Sequence, residues 1–507
     1  MFANLLNLKK TYQQQLAWRK SKLPLSYLYL MIVIYLIAAW FSEGYAHADE
    51  HYQILEFAAY HIHHYPYIYP WELTAQIRPT LQIWIVIWLY KIAMLLSWQI
   101  NPFMLAFLTR ALTGCLSALS CYVFVKAFQH ELNSFNKRKY FFLLSAFGYM
   151  TLSSAIRFSS ETVSAIFFLL GFSLLFYRVF SKHSMSCFIA GAFLGLAFIT
   201  RYQVGLMIFG LIAWLVLYQA MKPSKFFIML MGLLFVCGLG VYLDSLFYGK
   251  LTYTAWRYFE VNILQGRVSA FGKSSCWKYL NVIFMVPYGL LFLLSSLFFI
   301  IKRPNHVITW VLVPFVLVHF LIGHKEMRFL IPILGLMPFV LIYTFQLLQK
   351  GNPTQFSAEK LSAFNKPVWI LNGLIVFFLV AIDHRDFRMY KYIWTHYNHT
   401  PAFLNYIDKG ELFADNSVLL EMPLRFYVPD SLYIHKDAQL DQSICKQHTA
   451  CLTWVSCDKN VQQDSQNMTL LFDSCRLYDG IKTHFNRAHW IDKSVLFRQN
   501  GRLYKVS

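Results

Sequence analysis

The chain has 507 residues, of which 57% are hydrophobic and only 14% are charged, whereas a soluble domain carries about 25% charged residues. Its formal net charge is +20, but the basic residues stand in short clusters beside apolar segments, as topology signals and anionic-lipid contacts do. These features exclude an ordinary soluble enzyme and a nucleic-acid-binding protein, and they predict an all-α polytopic membrane protein.

The first predicted spanning helix is 25–41, because basic residues precede it and no small-residue cleavage site follows it. Residues 1–24 are therefore the predicted cytoplasmic N-terminal segment. Later apolar runs are also long enough to cross a bilayer, and together they predict about 11–12 transmembrane helices. The apolar segments are 25–41, 81–100, 103–127, 140–156, 162–178, 186–200, 204–220, 226–243, 280–301, 307–323, 329–349 and 367–382.

The gap between the first two apolar segments, residues 42–80, is the predicted first outer loop. It holds Asp49, Glu50, Trp71 and Arg78. Ionisable residues close to a membrane are costly to keep there and are usually functional. The loop is therefore the predicted location of an active site at the membrane surface.

Residues 49–64 are predicted to form an amphipathic helix that lies along the membrane surface. Ile54, Leu55 and Phe57 fall on one side of it at helical spacing. This helix leaves two interpretations of Asp49. The residue is either a functional acid or the cap of the helix.

The basic clusters also constrain the topology, because such clusters favour the cytoplasmic side. If the segments within 81–127 make a single net crossing, all the basic loops lie inside. One segment between 81 and 156 is then re-entrant or interfacial, and the helix count stays open. In this arrangement the C-terminal tail lies outside, as do the loops that carry Asp49, Arg157, Arg201, Asp244 and His324.

Residues 385–507 are polar and mixed in composition. They predict a small soluble domain on the outer face of the membrane. In an oxidising compartment its cysteines would form two disulfides, with three possible pairings. The four cysteines are Cys445, Cys451, Cys457 and Cys475.

Several short motifs follow one another along the chain, and the last is the most specific. They read HADEHYQILEFA at 47–58, WELTAQIR at 71–78, RFSSET at 157–162, DSLFYGK at 244–250 and HKEMRF at 324–329. In this order, over residues 40–350, they resemble motifs of the Alg9-like mannosyltransferases, the family-22 glycosyltransferases of the GT-C membrane fold. The tail resembles, more weakly, the end of one member of that family.

The resemblance implies a GT-C transmembrane catalytic domain over 25–382, with a second large outer loop at 244–280. It implies transfer of mannose from a polyprenyl-phosphate (dolichyl-phosphate) mannose to a lipid-linked or glycan acceptor, with inversion, on the outer or lumenal side. The implied partners are this donor, the acceptor and membrane lipids. The family needs no bound metal, and the histidines of the first outer loop lack tight ligand spacing, so we predict neither metal nor cofactor.

The resemblance favours Asp49 as the catalytic base. A carboxylate that is partly desolvated at the interface can accept the proton of the attacking hydroxyl as an oxocarbenium-like transition state forms. Glu50 is the second catalytic candidate. It either holds the acceptor or occupies the first turn of the helix, where the helix dipole favours an acid.

The phosphate of the donor leaves with a negative charge, so fixed cations beside it stabilise the transition state. For a single arginine the alternative is snorkelling to the interface, and for a tryptophan it is anchoring in the aromatic belt. The predicted donor-binding residues are six basic residues and one aromatic residue: Arg78, Arg157, Arg201, His324, Lys325, Arg328 and Trp71.

The chain departs from the family pattern at positions that bear on the acceptor, which the sequence does not identify. These positions surround Arg78, Arg201 and Trp277: Pro79 replaces a serine, Arg201-Tyr202-Gln203 replaces R-P-T, and Cys276 replaces a proline. The acid itself is intact, although Ala48 replaces the proline before it. Two other functions stay open, a GT-C transferase of another lipid-phosphate sugar and a lipid-linked glycan transporter, which would not need the Asp49 loop. The divergent motif and the absence of a retrieval tag favour a bacterial inner membrane over the endoplasmic reticulum.

Overall fold

The computed structural model describes residues 23–63, 71–98, 100–177, 183–218, 220–267, 272–275, 277–351, 367–377, 387–407, 425–436, 450–456, 468–473 and 501–506. These residues are mostly helical, and their strands all lie after residue 400. The prediction of a helical protein is therefore confirmed for the apolar part of the chain. The described part of the predicted C-terminal domain contains one α-helix, one 3₁₀ turn and five strands.

The α-helices are Leu25–Phe41, Ala48–Glu50, Glu56–His63, Trp71–Ala75, Leu81–Leu95, Pro102–Phe128, Phe135–Phe147, Tyr149–Ala155, Ser160–Phe176, Ser184–Thr200, Gly205–Leu217, Pro223–Tyr248, Thr254–Phe259, Lys278–Met285, Gly289–Lys302, Val307–Leu321, Ile331–Leu334, Met337–Gly351, Pro367–Phe377 and Phe387–Tyr397. Short 3₁₀ turns occur at Gln129–Glu131, Tyr202–Val204, Met327–Leu330 and Arg425–Tyr427, and π-helices at His51–Leu55 and Glu260–Leu264. The strands are β1 Ala402–Ile407, β2 Leu432–Lys436, β3 Ala450–Ser456, β4 Met468–Asp473 and β5 Gly501–Val506.

Two helices of the described chain are long and apolar enough to cross a membrane, Pro102–Glu131 and Pro223–Tyr248. The number rises to four if each of two sharply bent helix pairs counts as one span. Other apolar helices have only 10–17 residues, which is short for the roughly 20 residues that a bilayer requires. The predicted count of 11–12 spans stays a prediction.

The sharper of the two bends lies at one of the sequence motifs. The helices Tyr149–Ala155 and Ser160–Phe176 meet at 107°. Arg157 lies in the break, and Ser159 begins the second helix as its N-cap, with its Oγ accepting a hydrogen bond from the backbone N of Thr162 at 3.2 Å. The bend therefore places this motif at a helix N-terminus.

The helices Ser184–Thr200 and Pro223–Tyr248 pack closely through glycines. A methyl group at Gly191 would lie 1.9 Å from the carbonyl oxygen of Met229, and one at Gly232 would lie 2.1 Å from a carbonyl oxygen of the other helix. Small residues let helix backbones approach in this way. A larger residue at either position would force the two backbones apart.

We expect Gly191→Ala and Gly232→Ala each to destabilise the protein by about 1–3 kcal/mol, the usual cost of overpacking. The measurement is the thermal unfolding midpoint of the purified full-length chain. Gly238→Ala is the matched control, because its methyl group would meet nothing within 4 Å. Alanine has the higher helix propensity, so this variant should keep or raise the midpoint. An equal fall in all three variants would contradict the packing role.

The chain divides into two compact units. The first comprises residues 1–41, 75–82 and 109–380, and the second comprises 42–74, 83–108 and 381–507. Most of the predicted first outer loop, residues 42–74, thus groups with the C-terminal residues, so the predicted boundary between residues 382 and 385 stays a prediction. The core of the first unit includes the aromatic rings of Phe124, Phe128, Phe141, Phe172 and Phe339.

The second unit contains a five-stranded sheet with the strand order β2-β1-β3-β5-β4. Strand β1 pairs in parallel with β2 and β3, whereas β5 pairs antiparallel with β3 and β4. Cys451 on β3 is buried and disulfide-bonded, as one of the two predicted disulfides requires. The other three tail cysteines lie outside the described residues.

The predicted amphipathic helix at 49–64 is helical up to His63, but it does not expose one face throughout. The one-turn helix Ala48–Glu50 leads into the π-helix His51–Leu55, and all five residues of that π-helix are buried. The prediction of a surface helix is wrong for this segment, because its polar side chains have buried partners inside the second unit.

Candidate active site

Glu161 is the centre of a polar cluster in the first unit. It lies in the first turn of the Ser160–Phe176 helix, and its side chain is only 1% exposed. Its Oε1 lies 2.9 Å from Nη1 of Arg201 and 3.5 Å from Nη1 of Arg328. A buried arginine requires such a compensating charge. Glu161 therefore fixes the positions of two arginines that the sequence predicts to bind the donor.

Glu326 is the second acid of the cluster and belongs to the HKEMRF motif. Arg328 donates from Nε to Oε2 of Glu326 at 2.5 Å and from Nη2 to Oε1 at 2.9 Å. Nε2 of His324 lies 2.9 Å from the same Oε1. The side chain of Glu326 is 35% exposed. The cluster thus has one buried acid and one acid that water can reach.

An aromatic ring and a lysine complete this cluster. The guanidinium carbons of Arg201 and Arg328 lie 5.2 Å and 5.3 Å from the centre of the Phe329 ring, which are cation–π distances. Lys325 is buried, and its Nζ donates to the carbonyl of Ile322 and lies 5.9 Å from the ring centre of Tyr279. The ammonium group of Lys325 therefore stabilises the turn between Ile322 and Lys325.

The contact between His324 and Glu326 makes this cluster sensitive to pH. The hydrogen bond to the Glu326 carboxylate raises the pKa of His324 above its ordinary value of 6.5, with help from the Gly272 carbonyl, while burial and the charge of Lys278 oppose the rise. Burial pushes the pKa of Glu326 up, but its bonds from His324 and Arg328 outweigh burial and hold that pKa below its usual range.

Because the pKa of His324 is raised in the folded state, its protonated form contributes its whole stabilisation below pH 6.5. This contribution is lost as the pH rises through the raised pKa. We expect the unfolding midpoint of the full-length chain to fall over this window, and His324→Asn to flatten that fall. The measurement is a thermal unfolding series between about pH 6 and pH 9. The same pH dependence in both proteins would contradict the assignment.

Asp244 holds the segment that follows Arg78. Its Oδ1 accepts hydrogen bonds from the backbone N of Thr80 at 2.8 Å and from Oγ1 of Thr80 at 2.7 Å, and its Oδ2 accepts one from Thr254. The hydroxyl of Tyr248 donates to the carbonyl oxygen of Arg78 at 2.9 Å. These contacts tie the start of the 244–280 segment to the Arg78 segment and fix the course of its backbone.

Asp49 and Glu50 lie in the second unit, in the one-turn helix Ala48–Glu50. Asp49 is half-buried, whereas Glu50 is buried. Oε2 of Glu50 accepts a hydrogen bond from the backbone N of Ala46 at 2.8 Å. Glu50 thus braces the turn that carries Asp49, and the two acids differ in their access to solvent.

Buried polar side chains hold the helix that follows Asp49. Nε2 of His51 lies 2.7 Å from Oε1 of Glu56, and the same oxygen accepts from the backbone N of Phe426 at 3.2 Å. Gln53 donates from Nε2 to Oε1 of Glu72 at 3.2 Å. These contacts fix the backbone on the C-terminal side of the predicted base.

The structure therefore groups the predicted site residues in part. Arg201, His324 and Arg328 share one cluster in the first unit, and Lys325 lies beside it. Arg157 is buried in the helix break, and Trp71 is half-buried at the start of a short helix in the second unit. Among the residues that the structure describes, no group of three His, Cys, Asp or Glu side chains is arranged to hold a metal.

Sequence reasoning missed Glu161 and Glu326 as members of the site. Each stands inside a motif that was singled out for its basic residue, so the signal was present in RFSSET and HKEMRF. Two basic residues of HKEMRF, His324 and Arg328, contact Glu326, because a cation that is partly withdrawn from water requires an anion beside it. An acidic residue in such a motif is therefore as strong a candidate for the site as the basic residues beside it.

The sequence is similar to those of proteins that are named mannosyltransferases. The model of the Alg9-like mannosyltransferase family matches residues 26–401. A segment of 170 residues is 30% identical to the probable Dol-P-Man:Man(7)GlcNAc(2)-PP-Dol alpha-1,6-mannosyltransferase of Schizosaccharomyces pombe and covers 31% of this chain and 30% of that one. A segment of 304 residues is 25% identical to GPI alpha-1,2-mannosyltransferase 3 of Homo sapiens, the member that the tail resembles, and covers 58% and 52%.

The matched segments thus span between about a third and a half of these curated relatives. Among solved structures, ArnT from Cupriavidus metallidurans bound to undecaprenyl phosphate has a TM-score of 0.53 at 11% identity, over 95% of this chain and 97% of that one. An identity this low shows the fold alone. The predicted GT-C fold is confirmed.

Proposed function

Because this chain belongs to the Alg9-like mannosyltransferase family, we propose that it transfers mannose from a polyprenyl-phosphate mannose to a hydroxyl of a lipid-linked or glycan acceptor, with inversion. The acceptor oxygen bonds to the anomeric carbon as the bond from that carbon to the phosphate oxygen breaks. The hydroxyl proton passes to Asp49, and polyprenyl phosphate leaves. The name of the Schizosaccharomyces pombe relative includes Dol-P-Man, and this supports a polyprenyl-phosphate mannose as the donor.

The single observation that carries the proposal is the way Arg328 and His324 converge on one carboxylate. The guanidinium binds Glu326 with two parallel hydrogen bonds, and the imidazole reaches one of the same oxygens. This set of donors also matches the oxygens of a phosphate. Fixed donors of this kind stabilise the charge that develops on the leaving phosphate. Arg201, in the same cluster, and Lys325, beside it, add positive charge.

Asp49 is the proposed base on the strength of its motif and its half-buried position. Carboxylates do such work best when they are partly desolvated. Glu50 is proposed to position the turn and the acceptor, and Arg78, Arg157 and Trp71 to contact the donor. The reaction is proposed for the outer face of a multi-pass membrane protein with 11–12 spans, in a bacterial inner membrane rather than the endoplasmic reticulum.

The test is a comparison of donors with the purified full-length chain and a crude lipid-linked acceptor pool. Polyprenyl-phosphate mannose, glucose and aminoarabinose are supplied in separate reactions, and products are identified by mass. We expect mannose to be transferred at least about 10-fold faster than either other sugar, a ratio that a site with hydrogen bonds to the sugar hydroxyls reaches easily.

Two outcomes would replace the proposal. Preferred transfer of another sugar would assign the chain to a different lipid-phosphate donor. No transfer from any donor, together with movement of a lipid-linked glycan across proteoliposome membranes, would make the protein a transporter.

A further inference from the structure

The two acids of the cation cluster differ in how firmly they are held. The side chain of Glu161 is 1% exposed and contacts Arg201 and Arg328. The side chain of Glu326 is 35% exposed and contacts Arg328 and His324. Moving Glu161 would take the carboxylate away from the buried guanidinium of Arg201 and would remove one of the two acids that compensate Arg328, which is costly. Glu326 can move into water, where its charge is solvated.

The contacts of Glu326 are those that a phosphate group would make at the same position. One carboxylate oxygen accepts from Nε of Arg328, and the other accepts from Nη2 of Arg328 and lies within hydrogen-bond distance of Nε2 of His324. Arginine binds carboxylates and phosphates with this same two-pronged geometry. We call His324 and Arg328 together the anion seat.

We propose that Glu326 occupies the anion seat in the free protein and that the donor phosphate displaces it on binding; this inference rests on the proposed function. Arg328 stays in place during the exchange, because its Nη1 contacts Glu161 and its guanidinium carbon lies over the Phe329 ring. The seat holds an anion before and after the exchange, so its cations are compensated in both states.

The exchange has a consequence for turnover. Polyprenyl phosphate, the leaving product, is a monoester and carries up to two negative charges, whereas the donor is a diester with one. An open pair of cations would therefore retain the product more tightly than the substrate. The returning Glu326 competes with the product for the seat, so it speeds release of polyprenyl phosphate.

The test uses Glu326→Gln, which keeps the shape of the side chain and removes its charge. If Glu326 fills the seat about 90% of the time in the free protein, its removal tightens polyprenyl phosphate binding about 10-fold. We expect this tightening, measured with undecaprenyl phosphate and the full-length chain in nanodiscs, together with a lower kcat for mannose transfer.

The matched control is Glu131→Gln. It breaks another pair between a glutamate and a histidine in the first unit, in which Oε2 of Glu131 lies 3.0 Å from Nε2 of His306. This pair belongs to no predicted site. We expect the control to bind undecaprenyl phosphate and to transfer mannose as the wild type does.

Unchanged or weaker binding by Glu326→Gln, with transfer by the wild type intact, would overturn the displacement and leave the proposed function standing. A wild type that neither binds undecaprenyl phosphate nor transfers mannose would overturn both. If the variant does not fold, a structure of the wild type with undecaprenyl phosphate decides instead. The phosphate should lie against Arg328 and His324 with Glu326 turned away, and Glu326 still on Arg328 would refute the exchange.

Discussion

Asp49→Asn should lower mannose transfer by about 10²–10⁴-fold, the usual contribution of a general base. The amide has nearly the same shape as the carboxylate, but it does not accept the proton of the attacking hydroxyl. The half-buried Asp49 turn keeps its other supports, including the bond from Ala46 N to Glu50. Donor binding and the unfolding midpoint should therefore stay close to those of the wild type. The measurement is the single-turnover rate with bound polyprenyl-phosphate mannose.

Glu43→Gln is the matched control for this prediction. Glu43 is an acid of the same loop and forms an ion pair with Lys391, but both side chains are partly exposed. Such pairs contribute only about 0–1 kcal/mol, so the variant should transfer mannose at close to the wild-type rate. If Asp49→Asn transfers mannose as fast as this control, Asp49 is not the base and another residue accepts the proton.

Glu161→Gln should destabilise the protein by about 3–5 kcal/mol, the range seen when one partner of a buried ion pair is removed. The carboxylate is 1% exposed and lies beside Arg201 and Arg328. Without that charge Arg201 loses the carboxylate that lies 2.9 Å from its Nη1, whereas Arg328 keeps its two hydrogen bonds to Glu326. The unfolding midpoint of the purified full-length chain measures the loss, and donor binding should weaken with it because Arg201 loses its ion-pair partner and Arg328 loses one of its two acidic partners.

Glu326→Gln tests whether burial is the reason for that loss. It removes the same charge from a partner of the same Arg328, but at a site that is 35% exposed. Solvent screening should limit the cost to about 1 kcal/mol or less. If both variants lost the same free energy of unfolding, burial would not be the reason why Glu161 stabilises the cluster.

Much of the helical architecture was accessible from the sequence, because long apolar runs must be helical in a bilayer. The predicted segments 25–41 and 103–127 correspond to the helices Leu25–Phe41 and Pro102–Phe128. The predicted segment 280–301 is instead two helices separated near Tyr288, which has a φ of 60°. A left-handed conformation at a tyrosine is not encoded in hydropathy, so the pattern could not reveal this break.

The candidate site was predictable as a set of motifs but not as a set of contacts. Arg201 and Arg328 lie 40 and 167 residues from Glu161, and no local pattern links them. The sequence therefore indicated free cations where the structure has ion pairs. The buried contact of His51 with Glu56 was missed for another reason. Both residues fit an amphipathic surface helix, and their burial depends on Phe426 and its neighbours far along the chain.

The central claim is that this chain moves mannose from a polyprenyl phosphate to an acceptor with inversion. The most direct test incubates the purified wild type with labelled polyprenyl-phosphate β-mannose and acceptor, then measures released polyprenyl phosphate and the anomeric configuration of the product. We predict one polyprenyl phosphate per mannose transferred and an α-linked product that α-mannosidase removes. A β-linked product, or release of the lipid phosphate without any mannose on the acceptor, would contradict the claim.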